Sequence, residues 1–301
     1  MTKPPRKSPV RLIILIILAV WLAACRPDSH DTLRLATTTS TYDSGLLDVI
    51  LPEFEARYDV TVEVIAVGTG QALGLGERGD VDVVLVHDPV REEQFIAAGH
   101  GVQRTRLMYN DFILVGPSRD PASVHGLPSA AAAFESIAAH QAEFASRGDQ
   151  SGTHAREVLI WDQVGFQPDP GMDWYLSLGQ GMGSTLQFAN EKGAYTLTDR
   201  GTYLSQLENL PNLAVHVGGA SFFENQDETL LNCYSVMIVN PERHAEIEYE
   251  LARLFIEWIT EPATKSKIGS VGLERFDQPF FYPADADGEK PVPGQPGPSS
   301  E

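Results

Sequence analysis

Three short turns of this chain concentrate hydroxyls, glycines and a guanidinium. They are Thr37-Thr38-Thr39-Ser40-Thr41, Gly68-Thr69-Gly70-Gln71 and Ser146-Arg147-Gly148-Asp149-Gln150-Ser151-Gly152-Thr153-His154. An apolar, helix-like run, Val158-Leu159-Ile160-Trp161, follows the third. Unpaired backbone N–H groups and the helix dipole make a helix start a site for negative charge, and hydroxyl side chains add donors. Arg147 would add a charge-assisted contact worth about 1.5–3 kcal/mol. Ser, Thr and Asp are also ordinary N-caps, but one cap does not require five hydroxyls in succession.

Catalytic readings of the same residues fail on spacing. Asp149, Ser151 and His154 are triad residue types, yet Gly148-Asp149-Gln150-Ser151-Gly152 lacks the Gly-x-Ser-x-Gly elbow. No His-Glu-x-x-His occurs, and His87-Asp88 has no third ligand in view. Gly68-Thr69-Gly70 lacks the third glycine of a dinucleotide loop, and no Walker lysine is present. No catalytic residue, no resident metal and no cofactor are therefore expected. Tyr42, Tyr109, Trp174, Tyr175 and Tyr195 leave open a pocket for an organic solute.

The elements that must position the turns alternate. Strand signals at Thr32–Ala36, Thr61–Val67 and Val81–Val86 are separated by a helical pattern (Leu46, Leu47, Ile50, Leu51, Phe54, with a kink expected at Pro52) and a short helix after Gly70. A Pro-started helix, Pro89–Ala98, precedes the strand "YNDFILVGP". Helices are expected at Ser129–Ala139, up to Val164, at Gly183–Lys192 and at Pro241–Thr260, with strands at Glu143–Ala145 and in "CYSVMIVN". This rhythm predicts an α/β protein with mostly parallel sheets covered by helices on both faces. Two lobes follow from the length, with crossings near Val115–Pro117 and Leu231–Val236: residues 32–115 form lobe I, 116–232 lobe II, and 233–283 return to lobe I. Small ligands bind in clefts between lobes.

The ends read differently. Lys3, Arg6, Lys7 and Arg11 precede the apolar run Leu12–Ala24, too short to span a bilayer, so residues 1–24 are expected to be a signal peptide. Leu22-Ala23-Ala24-Cys25 resembles a bacterial lipobox, which implies a lipid on Cys25, a tether over residues 25–31 and anchoring at a membrane's outer face. Cys233 is then alone, so neither an intramolecular disulfide nor a thiolate metal site can form. The chain has 22 basic and 41 acidic residues, a net charge of −19, and removing the four basic residues of 1–24 makes it −23. That balance argues against nucleic acid and anionic headgroups as partners. Residues 284–301, rich in Pro and Gly, are expected to be disordered.

At "SRGDQSGTH" the chain meets a family. Arg-x-Asp-x-Ser-Gly-Thr resembles the oxyanion motif of periplasmic phosphate-binding proteins. The wider set resembles the tungstate-binding proteins of ABC importers: "LATTTSTYDSGLL", "VGTGQAL", "GDVDVVLVHDP", "MYNDFILVGP", "GQGMGSTLQFANEKGAYTLTDRGTY" and "VNPERH". These motifs lie within Thr32–Pro283. The resemblance implies a two-lobed periplasmic-binding-protein fold of type II-like form. It further implies an exported monomer that hands a tetrahedral oxyanion to a membrane permease driven by an ATPase. Carried over by position, Thr38, Thr39, Ser40 and Thr69 would bind from the first lobe, and Arg147, Ser151 and Thr153 from the second. Cys233 departs from the small or turn-forming residue expected there. Tungstate, molybdate and sulfate are fully deprotonated and need donors alone, whereas hydrogen phosphate needs an acceptor for its proton. Asp149 could be that acceptor, which keeps phosphate beside tungstate and molybdate.

Overall fold

The computed structural model describes residues 31–169 and 171–291. The expected signal peptide, Cys25 and all of the tether except Asp31 lie outside the described residues, as do residues 292–301 of the tail. The chain begins with β1 (Asp31–Thr38), α1 (Thr39–Asp43), α2 (Leu46–Tyr58), β2 (Val60–Val67), α3 (Thr69–Arg78), β3 (Val83–Val86) and α4 (Pro89–Ala97). β1 pairs in parallel with β2 on one side and β3 on the other. β3 is an unbroken apolar run because both its faces are covered, and all four of its residues are buried. α2 turns Leu46, Leu47, Ile50, Leu51 and Phe54 inward, and Pro52 lies inside the helix.

A 17-residue strand, β4 (Gly101–Pro117), leads into α5 (Ala130–His140), β5 (Phe144–Ser146), α6 (Gly152–Gln163), β6 (Tyr175–Ser177), α7 (Met182–Lys192), β7 (Thr196–Asp199), α8 (Arg200–Gln206) and β8 (Leu213–Val217). The chain returns through β9 (Leu231–Val239), α9 (Tyr249–Ile259), α10 (Pro262–Ile268), α11 (Leu273–Phe276) and β10 (Tyr282–Pro283). From Gly101 to Asp111, β4 pairs with β9; from Phe112 onward it pairs with β7 and β8. One strand thus serves two sheets, and the exchange falls at Asp111–Phe112, ahead of the expected crossing at Val115–Pro117. Ile113 and Val115 join a core that is continuous with Leu33, Phe54 and Trp258, while Phe112 and Leu114 face Phe134 and Trp161 on the other side.

The α/β class and helix-covered architecture are as expected, but the sheet is mixed rather than mostly parallel. β4 and β9 carry the chain in opposite directions between the lobes, so β3–β9, β4–β9, β4–β7 and β4–β8 are all antiparallel. The helix expected from Pro241 begins only at Tyr249. Residues 241–248 are held as turns by outside partners: Arg243 donates to Ala98 O (2.7 Å), Arg34 to Glu246 O (3.2 Å), and Glu248 N to Asp82 Oδ1 (3.0 Å). The tail is also ordered as far as Pro291. Its backbone is pinned by Lys265 Nζ donating to Ala284 O (2.9 Å) and Asp285 O (3.2 Å), and by Tyr109 OH donating to Gly288 O (2.7 Å). Tyr282 stacks on Phe222 with ring centroids 4.1 Å apart, and Lys290 lies over the same ring.

At the exchange point Arg200 donates to both oxygens of Asp111 (2.9 and 2.6 Å) and to the carbonyls of Gly218 (2.7 Å) and Gly219 (3.0 Å). Both side chains are almost wholly buried. Removing one partner of such a pair strands the other charge. Asp111→Ala should therefore cost about 3–5 kcal/mol in denaturant unfolding. A loss under about 1 kcal/mol would show that the exchange does not depend on this pair.

Candidate functional site

The two lobes meet at the turns singled out by the sequence. α1 is capped by Thr38, whose Oγ accepts from Thr41 N (3.3 Å) and bonds the hydroxyls of Thr41 (2.6 Å) and Ser40 (3.2 Å). Thr38 is therefore buried and occupied within its own turn, while Thr39 is exposed. α3 and α7 start at Gly68 and Gly181, and neither cap supplies a side-chain hydrogen bond. Their first N–H groups are left for a ligand or for water. Gly68 and Gly181 line two adjoining cavities, of about 790 and 640 Å³ respectively.

Thr39, Arg147 and Asp149 line both cavities and so stand where they meet. Ser40 lines the smaller cavity and Ser151 the larger. Arg147 is 5% exposed; its Nη2 and Nε donate to Asp149 Oδ2 (2.5 and 3.1 Å), and Nη1 donates to Thr153 Oγ at 3.4 Å. Asp149 Oδ1 accepts from Ser151 N (3.2 Å), and Ser151 Oγ caps α6 by accepting from His154 N (3.3 Å). The loop needs left-handed backbone at Gly148 and Gln150 (φ 61° and 60°). At Gly148 a Cβ would lie 2.1 Å from Ser177 Oγ, so only glycine fits. Thr69 and Thr153 are buried and line neither cavity; Thr69 Oγ has no hydrogen-bond partner.

Sequence reasoning missed several lining groups. Asn110, Tyr234 and Asp199 face the smaller cavity. Asn110 and Tyr234 belong to a buried chain in which Asn232 donates to Asn110 Oδ1 (2.7 Å) and faces His87 Nδ1 across 3.0 Å. They come from β4 and β9, where they read as polar interruptions of apolar strands. Burial drives the His87 pKa down to about 4, so the ring under the cleft is neutral at pH 7. Gly152 packs directly on it, since a Cβ there would meet His87 Cε1 at 2.6 Å.

Burial lifts the Asp149 carboxyl, but the Ser151 hydrogen bonds and the Arg147 guanidinium outweigh it and hold the pKa below the usual range. Asp199 goes the other way: burial raises it despite bonds from Thr202 N and Oγ. Cys233 is a half-buried free thiol in β9 whose pKa burial raises, which fits an inert packing role. Among the described residues no group of three or more His, Cys, Asp or Glu could hold a metal ion.

Residues 27–263 match the PBP superfamily domain. The chain is 46% identical over 260 residues to the tungstate-binding protein TupA of Peptoclostridium acidaminophilum, covering 86% of this chain and 87% of the relative. The chain belongs to that family. It is 37% identical to TupA of Campylobacter jejuni, over 80% of this chain and 87% of the relative. The solved structure of TupA from Desulfovibrio alaskensis G20 matches with a TM-score of 0.72 at 44% identity, over 84% of this chain and 98% of that one. The resemblance read from the motifs is thereby confirmed, with the fold it implied.

Behind the site, Glu157 of α6 accepts from Tyr175 OH (2.8 Å) and Trp161 Nε1 (3.3 Å), and burial pushes its pKa up to about 7. A carboxyl raised on folding keeps a proton that the unfolded chain has released, so stability should fall as pH rises from about 4.5 through about 7. Glu157→Gln should flatten that decline, read as the denaturation midpoint at pH 5 against pH 8. An unchanged pH dependence would show that Glu157 does not titrate there.

Proposed function

We propose that this protein is the extracytoplasmic solute-binding component of an ABC importer, capturing a tetrahedral oxyanion, above all tungstate, and passing it to a permease driven by an ATPase. The observation that carries the reading is the meeting of Thr39 and Arg147 from opposite lobes, beside two helix starts with no side-chain cap. A desolvated dianion needs a donor at every oxygen, and this junction is rich in donors. Thr39, Ser40, Arg147 and Ser151 are the facing donors, with Thr38, Thr69 and Thr153 one layer behind. The unpartnered Thr69 hydroxyl supports a role for the α3 turn.

Phosphate is the second reading, favoured by one observation: Asp149 and Asp199 both line the smaller cavity, where a carboxylate could accept its proton. Both carboxylates already accept hydrogen bonds at each oxygen, Asp149 from Arg147 and Ser151 N and Asp199 from Thr202 N and Oγ, which weighs against phosphate. Molybdate shares tungstate's charge and geometry and belongs to the same reading. Lipidation of Cys25, anchoring at the outer face of a membrane and a monomeric state complete the proposal. The relatives are named as binding and transport proteins.

Calorimetric titration with tungstate, molybdate, sulfate and phosphate, in a buffer free of all four, should give tight tungstate binding and weak phosphate binding. Preference for phosphate would assign the proton to Asp199 or Asp149, and silence for all four would overturn the reading. Arg147→Ala should weaken tungstate binding tenfold or more, about 1.4 kcal/mol per decade, with the native circular dichroism spectrum retained at about 25 °C. Wild-type affinity in that variant would remove Arg147 from the site.

A further inference from the structure

The two cavities that meet at Thr39, Arg147 and Asp149 differ in charge. The one beside α3 is lined by three guanidiniums, of Arg78, Arg91 and Arg147, against the single carboxylate of Asp149. The other is lined by Arg147 and Arg275 against Asp43, Asp149 and Asp199. Arg275 there lies over the Phe276 ring at 4.9 Å, among apolar neighbours. A dianion approaching the acidic surface of this chain is repelled, but carboxylates beyond a Debye length of about 8 Å are screened at physiological salt. The charges at each mouth then decide the route.

We propose that the anion enters and leaves the cleft through the cavity beside α3, and that Arg91 is the residue that steers it. This rests on the oxyanion reading of the site. Arg78 is neutralised by Asp80 at 2.7 Å and points largely into solvent. Arg91 approaches a carboxylate, that of Asp88, no closer than 3.4 Å, and the other oxygen of Asp88 is drawn off to accept from Arg91 N in capping α4. The guanidinium lies against the first turn of α3, where a Cβ on Gly70 would be only 3.2 Å from Arg91 Nη1. It therefore adds positive charge, only partly offset by Asp88, beside the uncapped N–H groups that follow Gly68. With 42% of its side chain accessible, it meets an incoming anion before the buried Arg147 does.

The test is rapid mixing of the intact protein with tungstate at low and physiological ionic strength, for the wild type, Arg91→Gln, Arg91→Lys and Arg275→Gln. Arg91→Gln should lower the association rate about threefold or more at low salt and flatten its salt dependence, with the dissociation rate changed less than about twofold. Arg91→Lys should restore the rate, since charge and not a specific contact is at work. Arg275→Gln should leave it unchanged. A wild-type association rate in Arg91→Gln, or an equal loss in Arg275→Gln, would overturn the proposal. Failure of the wild type to bind tungstate at equilibrium would instead overturn the oxyanion reading, and that shows before any rate is compared.

Discussion

The ion pair between Asp111 and Arg200 stands where β4 leaves one sheet for the other, and the geometry of the cleft depends on it. Burying two charges costs several kcal/mol each and is offset only when every donor and lone pair is used. Here the guanidinium binds both carboxylate oxygens and two carbonyls, and Asn225 supplies a further donor to Asp111 at 2.8 Å. The bonds fix the end of β7 and the loop after β8 to the strand that passes between the lobes. Asp199, which lines the smaller cavity, precedes Arg200 directly, and Asn110 precedes Asp111. A shift in the pair would carry both lining residues with it.

The same economy of charge shapes the site. Arg147 is as buried as a core residue, and Asp149 is the counter-ion that offsets the cost of burying it. Asp149 satisfies it and, through Ser151 N, sets the start of α6. His87, pressed against Gly152, is kept neutral by burial. Backbone dipoles at the helix starts add positive potential at the junction and need no counter-ion of their own.

The turns that start α1, α3 and α6 were legible locally, and parts of the frame that joins them were not. "SRGDQSGTH" announced its turn because an arginine and two glycines before a helical run are a local signal, and the alternation from β1 to α4 follows from residue periodicity. Gln103, Arg104, Thr105 and Arg106 concealed the first half of β4, because they interrupt its apolar pattern, and the two arginines find partners outside the strand, Glu92 and Glu289. The ordered tail was hidden for a related reason. Its Ala-Asp-Ala-Asp-Gly composition buries little, and its anchors are backbone carbonyls taken up by Lys265 and Tyr109. Asn110, Tyr234 and Asp199 are brought together by the sheet exchange alone, a long-range event that no local window contains.

The pairing of β3 with the late strand β9 has a consequence for how the chain is made. β3 is apolar and buried on both faces, yet its second edge is covered only by β9, which begins at Leu231. A chain emerging from its amino end carries that edge bare while residues 87–230 are still arriving. Exposed apolar strand edges recruit other chains, and pairings so distant in sequence form slowly. The sheet that starts first is therefore completed late, and its bare edge needs shelter during synthesis.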